Sequence, residues 1–230
     1  MADTAIAMSW DGVGEKKFEA GVDRGVLFVT DANGAYGEGV AWSGLTAVNE
    51  SPSGAEENKY YADNIKYASI LSAEDFGCTI EAYQSPKEFD ACDGTAEIAP
   101  GVTISQQARK AFGFSWRSLI CNDVADLGDA GYIIHIAYGC KAQPSEKSRS
   151  TVNESPEPTT FSWTVATTPV NVTGHKPTAH LQINSMNVNS AKLATFEQIL
   201  YGKPASQGGS ATASRLPLPD EIANHFKAAG

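Results

Sequence analysis

The clearest pattern in the chain is a period-2 alternation of apolar with polar or small positions. Tyr132, Ile134, Ile136 and Tyr138 fall on one face of an extended chain, with Ile133, His135 and Ala137 on the other. Phe161, Trp163 and Val165 share a face, as do Phe112, Phe114 and Trp116 opposite small residues. β-Branched and aromatic residues at this period predict half-buried strands. Residues 25–30 and 39–48 read as two more strands. Asp31-Ala-Asn-Gly34 between them is turn chemistry, so the pair predicts a hairpin. Residues 76–83, 102–107 and 179–184 complete the strand set, and 59–72 reads as one strand or a pair of short ones.

Helical periodicity is sparse. Ser85, Pro86 and Glu88 predict a capped start for a short helix, with Phe89 and Cys92 on one face and a stop at Asp93-Gly94. Leu193, Phe196 and Leu200 recur at i, i+3, i+7 after Ser190, which can cap, and before Gly202 and Pro204, which stop the helix. Pro219, Asp220 and Glu221 open a last short helix carrying Ile222 and Phe226. Residues 1–24, mixed and glycine-bearing, read as an N-terminal arm. Residues 49–58 read as a polar loop, and 207–214 as a Gly/Ser/Ala linker. The expected organisation is an arm over 1–24, a β-rich core over 25–202, and a linker with a short helix over 203–230.

Between two of the strongest strands lies a polar run, 143–160, with Pro144, Pro156 and Pro158. It exceeds the roughly 12–15 residues at which unstructured loops become uncommon in compact domains. Its mixed charges, Glu146, Lys147, Arg149, Glu154 and Glu157, suit pairing across an interface. These five are the candidate inter-subunit contact residues.

Composition narrows the function. Of 230 residues 19% are charged and 21 are glycine, which suits a turn-rich β protein. The net charge of −10 sets the average surface against DNA phosphates. Cys78, Cys92, Cys121 and Cys140 lack C-x-x-C spacing, so free, buried thiols are expected. The first eight residues lack a basic n-region and no stretch approaches the ~20 apolar residues of a membrane span. The expectation is a soluble protein folding in a reducing cytoplasm.

Motifs for chemistry are missing. The glycines of 34–39 read as a turn, and no phosphate-cradling loop occurs. Gly113-Phe-Ser115-Trp-Arg117 departs from a nucleophile elbow at its last position, so Ser115 reads as an outward strand residue. Asp123, Asp126 and Asp129 have the wrong spacing for a calcium loop and read as a solvated turn. His135, His175, His180 and His225 are scattered, and His135 reads as a packed or hydrogen-bonded strand residue. No catalytic, cofactor or metal residues are expected, and the chain reads as a non-enzyme.

Several stretches, in order, resemble the major tail protein (tail tube protein) of long-tailed bacteriophages and prophages. They are Gly21-Val-Asp-Arg-Gly-Val-Leu-Phe28 with Gly39-Val-Ala-Trp-Ser-Gly-Leu-Thr-Ala-Val48, then Ser51-Pro-Ser-Gly-Ala-Glu56 with Tyr61-Ala-Asp-Asn-Ile-Lys-Tyr67. Thr79-Ile-Glu-Ala-Tyr83 with Phe89-Asp-Ala-Cys-Asp-Gly94 follows, and Leu200-Tyr-Gly202 with Arg215-Leu-Pro-Leu-Pro-Asp-Glu221 ends the set. The resemblance implies a mainly β, sandwich or barrel-like core flanked by a helix, with short C-terminal helices. It implies hexameric rings stacked into the tail tube of a virion, assembled in the host cytoplasm. The implied partners are the chain itself and tape measure and tail completion proteins, with DNA passing through the lumen without specific binding. It supplies no catalytic residues. The alternative expectation is a ligand- or cell-surface-binding β-sandwich, for which Trp42, Tyr60 and Tyr61 would be exposed aromatics.

Overall fold

The computed structural model describes residues 8–125, 129–152, 154–155, 157–205 and 210–227. Asp126 of the acidic turn and the first glycines of the linker lie outside these. In chain order the elements are β1 (Phe18–Thr30), β2 (Tyr36–Trp42), β3 (Leu45–Glu50), β4 (Ser53–Gly54), β5 (Glu57–Ala62), β6 (Ile65–Leu71), β7 (Glu74–Asp75) and β8 (Gly77–Ala82). A 3₁₀ turn, Lys87–Phe89, runs into α1 (Asp90–Asp93). Then come β9 (Ala96–Ala99), β10 (Val102–Ile104), β11 (Phe112–Cys121), β12 (Gly131–Ala142), β13 (Phe161–Ala166), β14 (His180–Asn184), α2 (Ser190–Tyr201) and α3 (Pro219–Phe226).

Two antiparallel layers share one strand. The first has the order β2-β1-β11-β12-β14, and the second the order β12-β13-β8-β3. Residues 133–137 of β12 pair with β14, whereas Lys141 and Ala142 pair with β13. The strand changes layer at a bulge, where Tyr138 and Gly139 of β12 lie opposite the single residue Gly113 of β11. Gly139 sits there at φ 57, and a Cβ on it would lie 2.3 Å from the Thr168 carbonyl oxygen. Only glycine fits that backbone.

The space between the layers is filled by the inward faces. Leu27, Phe112, Phe114 and Trp116 meet Trp42, Ile80, Phe89, Trp163 and Val165 there. Trp42, Phe89 and Trp163 make mutual edge-on or tilted ring contacts at 4.6–5.4 Å, the offset arrangement their quadrupoles favour. A second core lies on the far face of the first layer. There Val26, Phe28, Ile134, Ile136 and Tyr138 pack against Leu193, Phe196 and Leu200 of α2 and Ile222 of α3. The molecule is therefore mainly β, a sandwich with a helical layer on one side.

Several expectations are corrected. β12 is buried on both faces rather than one, because the helices cover the second. Ser115 is not outward but fully buried under that layer. The strand expected over 39–48 is two strands, since Gly44 at φ 84 turns the chain from one sheet into the other. The arm expected through residue 24 ends at 17: β1 begins at Phe18 and pairs with β11 as far as Cys121. Register shifts after Ala20 and Asp23, with Arg24 at φ 49, break the alternation that would have revealed it. The 49–58 loop contains β4 and the start of β5, and the strand expected over 102–107 stops at Ile104. Ser85 caps nothing. Pro86 occupies the cap position of the 3₁₀ turn, and no side chain bonds the free amides. α2 is capped by Asn189, not Ser190, its side chain accepting from the amides of Ala191 and Lys192. Among the described residues no helix is long and apolar enough to cross a membrane.

All four cysteines are free and buried. Burial pushes the Cys78 and Cys92 thiols up to about 12 and raises that of Cys140. Thiolate is the reactive form, so a disulfide-exchange reagent at pH 8 should label the native protein slowly and all four sites rapidly after unfolding. Rapid labelling before unfolding would place a thiol at the surface. Trp163→Ala should cost roughly 3–5 kcal/mol in urea unfolding. Trp163→Phe should cost less, because the indole N–H it removes has no partner.

Candidate assembly surface

β3 and β8 do not end where their sheet does. They continue outward as one two-stranded ribbon: β4 pairs with β7, then β5 with β6, and Asp63-Asn64 close the tip at φ 52 and 64. Two successive residues at positive φ make the hairpin turn whose twist matches paired strands. Ala55 donates its amide to the Ala73 carbonyl, and Ser72 to that of Glu56, so the ladder is nearly continuous. Neither β5 nor β6 pairs with any other described strand. From Ser51 to Asp75 every residue is exposed except Ala62 and Ala68, which are half-buried.

The composition of this ribbon is what sets it apart. Tyr60, Tyr61, Ile65, Tyr67, Ile70 and Leu71 are each more than half exposed. A cluster of large apolar side chains on an isolated hairpin is unusual on a free surface. A lone two-stranded ribbon is also marginal in water. Its polar face is neutralised internally, Glu57 accepting from Lys66 and Ser69 and pairing with Lys59 at 3.3 Å. The sequence places strands at 59–72 but gives no sign that they leave the core, because apolar content alone reads as burial.

The 143–160 loop has regular structure in none of its described residues. Its root is fastened: Gln143 donates to the Thr164 carbonyl, and Ser145 accepts from the Thr164 amide. Lys147 pairs with Asp93 at the end of α1, and Asp93 also holds Arg109, which bonds the Ala142 carbonyl at 3.1 Å. Of the five candidate contact residues, Lys147 is thus engaged within its own chain. Arg149 lies over the Phe161 ring at 5.9 Å, while Glu146, Glu154 and Glu157 are exposed. Gln143 shares a shallow cleft with Ser51, Ser53 and Asp75, so the loop root and the ribbon root adjoin.

The aromatics expected at a ligand surface separate. Tyr60 and Tyr61 are exposed on the ribbon, but Trp42 is buried, its Nε1 donating to the Gln84 carbonyl at 2.7 Å. The histidines do not stay scattered. Pairing of β12 with β14 brings His135 and His180 together beside Glu50, a grouping with no counterpart in their sequence spacing.

Lys147→Ala should lower stability by less than about 1 kcal/mol, as for an exposed pair. Asp93→Ala should cost roughly 1–3 kcal/mol, because it leaves the less exposed Arg109 without its acid. Equal effects in urea unfolding would show that the loop, not the β11 approach, is what Asp93 secures. No protein-family model matches the chain, and no curated protein matches its sequence.

Proposed function

We propose that this chain is a structural virion protein that self-assembles into stacked hexameric rings forming a phage tail tube. The observation that carries the reading is the ribbon, a paired extension of β3 and β8 that exposes six large apolar side chains. Such a surface favours a second copy of the chain, since self-complementary apolar and strand-edge contacts satisfy it without any other ligand. The net charge of −10 supports the same reading: it keeps free subunits apart, and an acidic lumen would let DNA pass without sticking. The ordered resemblance across the chain adds the ring number and the partners, tape measure and tail completion proteins. The binding-module reading is weakened by the burial of Trp42.

Negative-stain images of the purified protein test this. Rings or tubes should form near neutral pH without ligand. Replacing residues 55–73 by a short Gly/Ser turn should leave a folded monomer, because neither core includes them, and should abolish tubes. Replacing 144–159 in the same way tests the loop separately, and loss of tubes is expected there too. Small featureless particles from the unaltered protein at every concentration would overturn the assembly reading. Normal tubes from the ribbon-shortened protein would remove the ribbon from it.

A further inference from the structure

One cluster plays no part in assembly as proposed above. At one end of the inter-sheet space, three side chains from three strands converge. His135 Nδ1 lies 3.3 Å from Glu50 Oε1 and 3.4 Å from His180 Nε2, and His180 Nε2 lies 3.7 Å from Glu50 Oε1. His135 and His180 are diagonal neighbours on one face of the β12–β14 ladder, and Glu50 ends β3 in the other sheet.

The surroundings fix the rings. Trp116, directly opposite His135 on β11, stacks on both imidazoles at 4.9 and 5.6 Å, within 6° of parallel. Phe76 stacks on His180 at 4.4 Å. The tautomer of His135 follows from its other nitrogen. Ser118 Oγ donates its one proton to Glu19 Oε2 at 2.9 Å, so at 3.0 Å from His135 Nε2 it must accept from that ring. Nε2 therefore carries the proton, and Nδ1 turns a lone pair toward Glu50 and His180. A carboxylate and two imidazoles then face one another, and a single proton on His180 Nε2 can lie between only one pair of the three acceptors. Burial lowers both histidines to about 4, so neither is charged at neutral pH, and desolvation raises Glu50, with Glu19 adding to it.

We propose that Glu50, His135 and His180 form a binding site for a divalent late transition ion, Zn²⁺ by donor set and shape, that clamps the two sheets together. Zn²⁺ takes imidazole nitrogen and carboxylate oxygen at about 2.0–2.2 Å, which puts tetrahedral ligands about 3.4 Å apart and octahedral neighbours only about 2.9 Å apart. The three separations of 3.3, 3.4 and 3.7 Å match the tetrahedron. Two nitrogens with one oxygen do not suit Ca²⁺ or Mg²⁺, which require oxygen cages. The Glu19–Ser118–His135 chain is the outer support that orients a ligating imidazole. His180 also lines a cleft with Asp75, Phe76 and Thr178, and the Glu50 side chain is one-third exposed, so the group is open to an ion from solvent.

The test uses the full chain without a histidine tag, stripped with a chelator, and Zn²⁺ or Co²⁺ alone as probe. Calorimetry should give one Zn²⁺ per chain, and Zn²⁺ should raise the Tm of the free subunit. Co²⁺ should give the intense visible bands of a tetrahedral site. Glu50→Gln and His180→Asn, checked for folding by circular dichroism, should each lose the Co²⁺ bands and the Tm shift. Ser118→Ala should weaken Zn²⁺ binding about tenfold or more without removing a ligand. No uptake by the unaltered protein, a weak octahedral spectrum, or uptake unchanged in both folded ligand variants would overturn the site. The readouts come from the free subunit, so ring assembly can fail or succeed without affecting them.

Discussion

The structure depends on one strand serving two sheets. β12 is hydrogen-bonded to β11 and β14 in one layer and to β13 in the other. The two layers are joined by continuous backbone there and not by side-chain packing alone. That requires an abrupt change of direction, which the extra residue at Tyr138-Gly139 provides and which the Thr168 carbonyl restricts to glycine. The adjoining side chains are fitted to it. Tyr138 is fully buried and donates to the Pro217 carbonyl at 2.9 Å, tying the bend to the segment that leads into α3. The Gly139 amide donates to Tyr36 Oη, tying it to β2.

From this shared strand follows the unequal treatment of the two sheets. The first sheet is covered on both sides, so its strands carry apolar residues at successive positions: Val26, Leu27 and Phe28 are all buried. The second is covered on one side and keeps the alternation of a half-buried sheet, as in β13 and β8. Helix α2 has only a narrow apolar stripe of Leu193, Phe196 and Leu200, which suffices because it lies flat on a surface already apolar.

What could be read in the sequence follows the same division. Where backbone geometry is regular, side-chain period reports it: β11, β12 and β13 are visible from Phe112, Ile134 and Trp163, and the last two helices from their leucines and Pro219. Where the backbone departs from regularity, the pattern fails. Gly44 and the bulges near Gly21 and Arg24 cost the reading one sheet crossing and half of β1. The ribbon is a different failure, since exposed and buried apolar strands have the same composition. The Glu50–His135–His180 group depends on strand register, which local pattern does not contain.

The ribbon is also a mechanical element. Its ladder runs on into β3 and β8 with breaks in pairing, one of them at Gly54 and Ala55 with φ 83 and 52, and Glu50 and Cys78 pair at its root. A pull on Asp63-Asn64 along its length loads both strands in the same direction and leaves the bonds between them unsheared, whereas a sideways push bends a layer only two strands wide. Any lengthwise load on the protruding segment is thus shared by its two strands and delivered through β3 and β8 to the body of the second sheet, while Gly54 and Ala55 mark where a sideways load would bend it.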